Sequence, residues 1–306
     1  MKLFIFRRTI QSLLLFVGVV VIVFFLVRLS GDPARLMMPR EASPEQVQAF
    51  RELMGFDRPV LVQLGEYVAR IFTGDFGESL RFQTHSIDLV LDRVPLTFTL
   101  ATLAMGVALV VGIPLGIWGG MNANKPSDLL ARGLGLAGQV TPEFWLALVL
   151  IIVFAVNLGW FPSFGIDGPA SYVLPAFALS VGAMGRLVRL TRATVLEVVS
   201  SDFVRTARSK GLSGIEVAGR HIVRNTALAL VSVVSVQYTY LLGGAVYIES
   251  IFALPGLGSL LDEAIRARDF PLVQTITLFI GGAAIALSLV ADLLYAWLDP
   301  RIRLEN

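Results

Sequence analysis

The chain has 306 residues, of which 55% are hydrophobic and 16% charged, and its formal net charge is +2. A soluble domain carries charge on about a quarter of its residues, so this composition excludes an ordinary soluble protein and indicates a membrane protein. The mean hydropathy of +0.74 agrees with that class. The chain has no cysteine, so no disulfide is expected in the parts that face outwards.

Six continuous apolar stretches are each long enough to cross the bilayer, whose hydrocarbon core of about 30 Å takes about 20 helical residues. Arg28 and Leu29, rather than a small-residue cleavage site, follow the first apolar core, so we interpret residues 1–29 as an uncleaved signal-anchor. The predicted spans are residues 9–29, 95–119, 133–156, 173–190, 227–248 and 272–297.

Basic residues distinguish the two sides of the membrane. Lys and Arg crowd the N-terminal flank, the 186–224 stretch and the C-terminal flank, whereas the link 157–172 holds none. The positive-inside rule therefore predicts that both termini and the 186–224 stretch are cytoplasmic.

The segment between the first two spans, residues 30–94, is the largest predicted external piece. Within it, Ser43-Pro44-Glu45-Gln46 combines an N-cap, a proline at the first helical position and Gln at position N3, which predicts a helix over 44–54. A second helix is expected over 59–72, before the turn-rich stretch 73–77. Because this insert has few large apolar side chains, we expect it not to fold alone but to lie over the outer mouth of the bundle.

The remaining core, residues 95–306, contains a basic cytosolic insert at 200–225 that carries no evident catalytic group. Two short helices are predicted there, over 203–210 and from the capping box at 213–216, with Gly211 as the stop between them. Each helix has an apolar stripe opposite Arg or Lys. Such helices either rest on lipid head groups or enter a groove on a partner protein, and the pattern alone leaves both open.

This cytosolic insert resembles the EAA loop of binding-protein-dependent ABC importer permeases. Arg205-Thr206-Ala207 stands at the EAA position, Gly211 at its glycine, and the segment 220–225 is similar to the dipeptide/oligopeptide branch of that family. Other segments that resemble the same branch are residues 55–59, 74–77, 93–97, 142–146, 249–258 and 299–301. The resemblance therefore runs nearly from end to end.

The resemblance implies an all-α membrane protein of type I ABC importer permease architecture, with six transmembrane helices, both termini inside and a helical insert in the first outer loop. It implies a permease subunit in the bacterial inner membrane that forms half of the translocation pathway for di- or oligopeptides or similar small solutes. Its partners would be a homologous second permease in a heterodimer, two cytosolic ATP-binding subunits and an external solute-binding protein.

The resemblance also implies roles for two groups of residues. Those expected to couple to the ATPase are Arg205, Thr206, Ala207, Lys210, Gly211, Leu212 and Glu216. Those expected to line the translocation pathway or its gate are Pro142, Glu143, Phe144, Trp145, Glu249, Pro255, Gly256 and Gly258. The proline and two glycines of the gate are expected to impose a tight, re-entrant shape.

Glu143 is the most informative charge within a predicted span. It should lie about 16 Å deep at 1.5 Å per residue, and Pro142 before it is expected to kink the helix. Because a lipid-facing carboxylate would be costly there, Glu143 should face a cavity or a partner. It either attracts the ammonium end of a peptide or makes a structural hydrogen bond to a neighbouring helix. Arg186, Arg189 and Arg192 share one face of span four, where snorkelling to lipid phosphates would account for them.

Three lysines are present, Lys2, Lys125 and Lys210, and none lies in a Gly-x4-Gly-Lys-Ser/Thr loop. The chain therefore cannot build a P-loop, and we expect no enzyme activity, with ATP hydrolysed by a partner. No cofactor is expected, and no metal site, because the two histidines, His85 and His221, fall on opposite sides of the membrane. Nucleic-acid binding is not expected of an insert that has one aromatic residue and is tethered between spans.

The alternative function is a secondary transporter or channel subunit that ATP does not drive. Such carriers usually contain several intramembrane carboxylates and internal repeats, whereas only Glu143 and Asp292 qualify here and no repeat is evident. An intramembrane enzyme would need a nucleophile–base set, and we find no plausible one in the sequence. The patterns do not identify the solute.

Overall fold

The structure is a computed structural model that describes residues 2–29, 31–39, 41–202, 204, 209 and 223–298. Within these residues the regular elements are helical, apart from an isolated antiparallel bridge between Glu78 and His85. The helices are α1 (Lys2–Leu29), α2 (Pro33–Met37), α3 (Pro44–Leu53), α4 (Val60–Phe72), α5 (Ser86–Met121), α6 (Pro126–Val140), α7 (Glu143–Leu150), a π-helix (Ile151–Asn157), a 3-10 helix (Pro169–Tyr172), α8 (Val173–Val199), α9 (Val223–Ile251), α10 (Leu257–Ala267) and α11 (Phe270–Leu298).

Four of the described helices are long and apolar enough to cross a membrane, namely Leu3–Leu29, Ser86–Met121, Pro169–Val199 and Phe270–Leu294. A bent pair, Pro126–Val140 with Glu143–Asn157, makes a fifth candidate if the two helices form one broken span. Helix α9 covers the remaining predicted span at 227–248. The helical class and the multi-pass membrane character are confirmed, whereas the number of six spans and the orientation stay predictions.

The insert between the first two predicted spans begins as its capping signals predict. Ser43 caps α3 through a complete capping box, in which its hydroxyl accepts from the Gln46 amide and its own amide donates to the Gln46 side chain. Helix α4 starts one residue after the expected position, at Val60. It packs against α1, where Ile71 is buried in one cluster with Val20 and Val23. Side chains of α1 thus form part of the core of the insert.

The chain falls into two compact units, and the division at residues 29 and 94 stays a prediction. The first contains residues up to Pro95 together with Gly256–Leu289, and the second contains Leu96–Pro255 with the described residues from Val290. In the first unit, Asp269 is fully buried at the start of α11. It accepts hydrogen bonds from the Ser79 hydroxyl and from the Arg81 amide, at 3.2 Å for the amide. This carboxylate ties the chain between α4 and α5 to α11.

In the second unit, α8 is buried along most of its length and packs closely on α6. The contact depends on glycines, because a Cβ on Gly185 would lie 2.5 Å from the carbonyl oxygen of Gly135. A Cβ on Gly138 would likewise lie 2.8 Å from the carbonyl oxygen of Val181. Small residues let membrane helices approach at backbone distance, which is the arrangement seen here.

The predicted third span is broken, not merely kinked. Thr141 and Pro142 are both extended, with ψ of 120° and 129°, and the helices on either side are bent by 99°. Proline disfavours helical backbone in the residue before it and supplies no amide hydrogen, which explains the position of the break. Glu143 is therefore the first residue of α7, so the expected depth of about 16 Å, counted at 1.5 Å per residue along one helix, does not apply.

Candidate functional site

The break places the Glu143 carboxylate between α8 and α9. Its Oε1 lies 3.0 Å from the position that a Cβ on Gly182 would occupy, and its Oε2 lies 3.0 Å from the corresponding position on Gly244. The side chain thus fills the space that two absent side chains leave free. Glu143 also stands in the first turn of α7, where the partial positive charge of a helix N-terminus favours a carboxylate. Three helices meet at this residue.

A cationic side chain of α8 flanks the same gap. Arg186 lies one turn beyond Gly182, and its Nη2 is 3.6 Å from the Cβ position of that glycine. Its Nε donates a hydrogen bond to the buried Gln237 side chain on α9, and its guanidinium carbon lies 5.6 Å from the centroid of the Tyr240 ring. Arg186 therefore joins α8 to α9 beside Glu143. We call Glu143, Gly182, Arg186, Gln237 and Gly244 the Glu143 cluster.

A second inward-turned arginine lies near the end of α8. Arg192 donates through Nε and Nη2 to the two carboxylate oxygens of Asp128, the second bond measuring 2.9 Å. Asp128 is fully buried and also accepts from the Asn124 amide at 2.9 Å. The expectation that Arg186 and Arg192 snorkel to lipid phosphates is therefore wrong, because both bind partners within the protein. Arg189, between them, is exposed.

The predicted pathway residues differ in burial and in the contacts that they make. Pro142, Phe144 and Trp145 are exposed around the break, with Phe144 and Trp145 more than half exposed. Glu249 lies in the last turn of α9. It is fully buried and accepts a 2.6 Å hydrogen bond from the Thr97 hydroxyl on α5. The described contacts thus assign Glu143 and Glu249 to separate clusters.

The predicted gate differs from the expected glycine turn. Gly256 is the N-cap of α10, with extended backbone at φ −105° and ψ −170°, and Gly258 lies within the first turn of that helix. The left-handed conformation in this segment falls on Ala253, with φ of 50°. Pro255 precedes α10 in a short connection from α9. The Pro-Gly-x-Gly run therefore starts a helix and does not itself form the tight turn.

The residues predicted to couple to an ATPase, Arg205, Thr206, Ala207, Lys210, Gly211, Leu212 and Glu216, lie outside the described residues. Val204, which the structure describes, is fully buried against Val195 of α8, with Ile117 and Met121 of α5 packed on the pair. Val204, which belongs to the predicted apolar stripe, thus contacts α5 and α8 of the same chain.

Sequence reasoning missed most of the Glu143 cluster. Gly182, Gly244 and Gln237 carry no motif, and nothing in the sequence links them to Glu143. Asp128 follows a turn signal, Asn124-Lys125-Pro126, that indicates a helix start but not the arginine that pairs with it. Only the spacing of Gly182 and Arg186, one helical turn apart, offered a local clue.

The broken span and the buried polar clusters define a multi-pass helical membrane protein whose helices are joined by charged groups. The sequence profile of a family described as "Binding-protein-dependent transport system inner membrane component" matches residues 112–304. A second profile, for the N-terminal part of such membrane components, matches residues 1–101. The chain belongs to this family of binding-protein-dependent transport system inner membrane components, as its resemblance to the importer permeases predicts.

Named relatives extend over the whole chain. A Brucella abortus (strain 2308) protein named as a peptide transport system permease protein is 40% identical over an alignment of 314 residues, which covers 100% of both chains. The glutathione transport system permease protein GsiC of Escherichia coli (strain K12) is 35% identical over 289 residues, which cover 94% of each chain.

Two solved structures share the fold. A chain of the inward-facing MetNI methionine ABC transporter aligns with a TM-score of 0.56 and 17% identity, covering 70% of this chain and 97% of that one. A chain of an amino acid ABC transporter aligns with a TM-score of 0.50 and 18% identity, covering 70% and 94%. At these identities the likeness is one of fold.

Proposed function

We propose that this chain is a permease subunit of an ATP-driven importer for peptides or similar small solutes and forms half of the translocation pathway. The observation that carries the proposal is the end-to-end identity of 40% with a protein named as a peptide transport system permease. The fold shared with two ABC transporter chains supports the same class.

We propose further that the subunit works in the inner membrane with six spans and both termini in the cytoplasm. Its partners are a homologous second permease, two cytosolic ATP-binding subunits and an external solute-binding protein. The basic residues of 186–224 support the orientation. The lack of a P-loop sequence supports ATP hydrolysis by a partner.

In the proposed mechanism, closure of the ATPase pair pushes on residues 200–225, and α8 carries the displacement into the membrane. Helix α8 has 27 residues and is about 40 Å long at 1.5 Å per residue. Val195 near its end packs on Val204, and Gly182 and Arg186 in its middle belong to the Glu143 cluster. A continuous helix transmits such a displacement better than a loop, so movement at one end reaches the cluster.

In this mechanism Glu143 is a structural joint, which means that it holds α7, α8 and α9 in contact, and it does not select peptides by charge. The close approach of both carboxylate oxygens to Gly182 and Gly244 supports this role. The variant Glu143→Gln separates the structural role from charge selection when uptake of a cationic and an anionic peptide of equal length is measured. A joint predicts equal losses for both peptides, whereas a loss confined to the cationic peptide would assign Glu143 to charge selection.

Purification of the tagged chain from its native membrane tests the function. An importer subunit brings down P-loop proteins and a second permease, and proteoliposomes of that complex take up peptide only with ATP and the binding protein. A secondary transporter, the alternative, would concentrate solute without nucleotide when the chain alone is reconstituted. That result would overturn the proposal.

A further inference from the structure

Helix α4 of the external insert runs antiparallel to α1, residue against residue. Arg28 donates a hydrogen bond to the Gln63 side chain at the start of α4. One turn further along α4, the Tyr67 ring lies 5.5 Å from the Phe24 ring. At the end of α4, the Phe72 ring lies 6.5 Å from the Phe16 ring, in an edge-to-face arrangement. Successive residues of α4 thus contact residues of α1 in the reverse order, so the two helices are antiparallel.

This pairing fixes how deep α4 reaches. Phe16 lies about 20 Å from the carboxyl end of the 28-residue α1 at 1.5 Å per residue, and about 10 Å inside the amino-terminal bound of the predicted span 9–29. Phe72 contacts it, so the carboxyl end of α4 reaches at least the middle of the span. Because the hydrocarbon core is about 30 Å thick, α4 must enter the leaflet that holds the carboxyl end of α1.

The sequence of α4 suits a position between lipid, protein and water. Gln63 and Ile71 are buried on the side that meets α1. Glu66 and Arg70, one turn apart, form an exposed polar edge. Leu61, Gly65 and Phe72 form an apolar edge, on which Leu61 is 78% and Phe72 56% exposed. An external helix in water would not keep these apolar side chains exposed beside a membrane span.

A cavity of about 650 Å³ borders the polar edge. Arg28, Glu66, Arg70, Glu78 and His85 are among its lining residues. Ionisable side chains at membrane depth face water-filled cavities or the bundle interior, because hydrocarbon does not solvate them. The cavity therefore accounts for charges on α4 at a depth where lipid alone would exclude them.

We propose that α4 is a re-entrant helix in the outer leaflet, with its Leu61–Gly65–Phe72 edge covered by lipid acyl chains and its Glu66–Arg70 edge lining a water-filled vestibule. The assignment of α4 to the outer leaflet rests on the proposed topology, whereas its insertion into the membrane does not. Helix α1 also exposes large apolar side chains along the stretch that pairs with α4, with Ile22 60% and Leu26 53% exposed. The insert thus adds a half-span and a hydrated recess to the permease.

The natural absence of cysteine makes a direct test possible. Single-cysteine variants are treated, in open fragments of the native membrane, with a charged maleimide that reaches both membrane faces. Leu53→Cys, at the exposed end of α3, is the reference for a position in water. Leu14→Cys, an exposed side chain in the middle of α1, is the reference for a position in lipid. We expect Arg70→Cys to react like Leu53→Cys, and Phe72→Cys to react at least about tenfold more slowly, like Leu14→Cys, because hydrocarbon excludes charge.

Each result decides one part of the proposal. Fast labelling of Phe72→Cys would place α4 outside the membrane, and slow labelling of Arg70→Cys would rule out the vestibule. Gly65→Cys repeats the lipid-edge test where an added side chain meets nothing within 4 Å. A nitroxide on Phe72→Cys should meet dissolved oxygen as often as one on Leu14→Cys. Protection from oxygen would mean that a protein partner, not lipid, covers this edge. These results do not depend on ATP-driven uptake, which is measured separately.

Discussion

Buried carboxylates link separate parts of the chain in this protein. Asp128, Glu249 and Asp269 are each fully buried, and each accepts a hydrogen bond from a residue on another part of the chain. A buried carboxylate is tolerated only when such bonds replace its lost water. These residues therefore determine which helices are neighbours. Hydrophobic contacts do so less specifically, because lipid tails are as apolar as the side chains of a neighbouring helix.

Asp128→Asn should destabilise the protein by about 1–3 kcal/mol, because it removes the charge of a buried carboxylate that accepts two hydrogen bonds from Arg192. The matched control is Asp262→Asn, which removes the exposed pair with Arg266 and should leave stability unchanged. Thermal unfolding in detergent measures both variants. Equal midpoints for the two variants would show that the Asp128 pair is not a joint.

Gly244→Ala should reduce uptake, because the added Cβ would lie 3.0 Å from Glu143 Oε2 and would displace the carboxylate. Its neighbour Gly243 supplies the control, since a Cβ there meets nothing within 4 Å, and Gly243→Ala should transport normally. Peptide uptake by proteoliposomes containing equal amounts of complex compares the two. Normal uptake by Gly244→Ala would argue against the Glu143 joint.

At the scale of elements, the distinctive features are a broken span and a glycine contact between α6 and α8. The break depends on Pro142 and the bend of 99° that it permits. The glycine contact brings backbones together so closely that Gly185 has no room for a methyl group. Together they hold α7 where Glu143 reaches between α8 and α9.

Gly185→Ala should therefore lower stability by about 1–3 kcal/mol, because a Cβ 2.5 Å from a backbone carbonyl oxygen forces α6 and α8 apart. Gly133→Ala, in the facing helix α6, is the control. Its Cβ meets nothing within 4 Å, and alanine favours a helix over glycine, so its stability should stay the same or rise. Unfolding midpoints of the two purified variants, measured side by side, test the contact; a midpoint for Gly185→Ala at the level of Gly133→Ala would contradict it.

At the scale of the whole molecule, the proposed function requires force from an ATPase to reach the membrane through residues 200–225. Gly211→Val should uncouple the importer, because valine disfavours the left-handed backbone expected at the predicted turn between the two coupling helices. The complex should still insert and hydrolyse ATP but should lose peptide uptake. Uptake per ATP hydrolysed in proteoliposomes measures this, with membrane yield as the control. Unchanged coupling would mean that this insert is no lever.

Much of the fold followed from local sequence. The positions of four spans, the α3 capping box and the start of α4 were predictable because hydropathy over about 20 residues and a cap over four residues are local signals. The membrane class and the transport family also followed from the sequence. The break at Pro142 was foreseen only as a kink, because proline shows where a helix is weakened and not how far it bends.

Hydropathy and motifs along the chain are enough to show that it crosses the membrane several times and belongs to the importer permeases. They do not show that Glu143 lies between Gly182 and Gly244, that Arg192 binds Asp128, or that α4 runs along α1, which became visible in the folded chain. The physical reason is that burial in lipid depends on each residue's own chemistry, whereas these contacts depend on residues that only folding brings together.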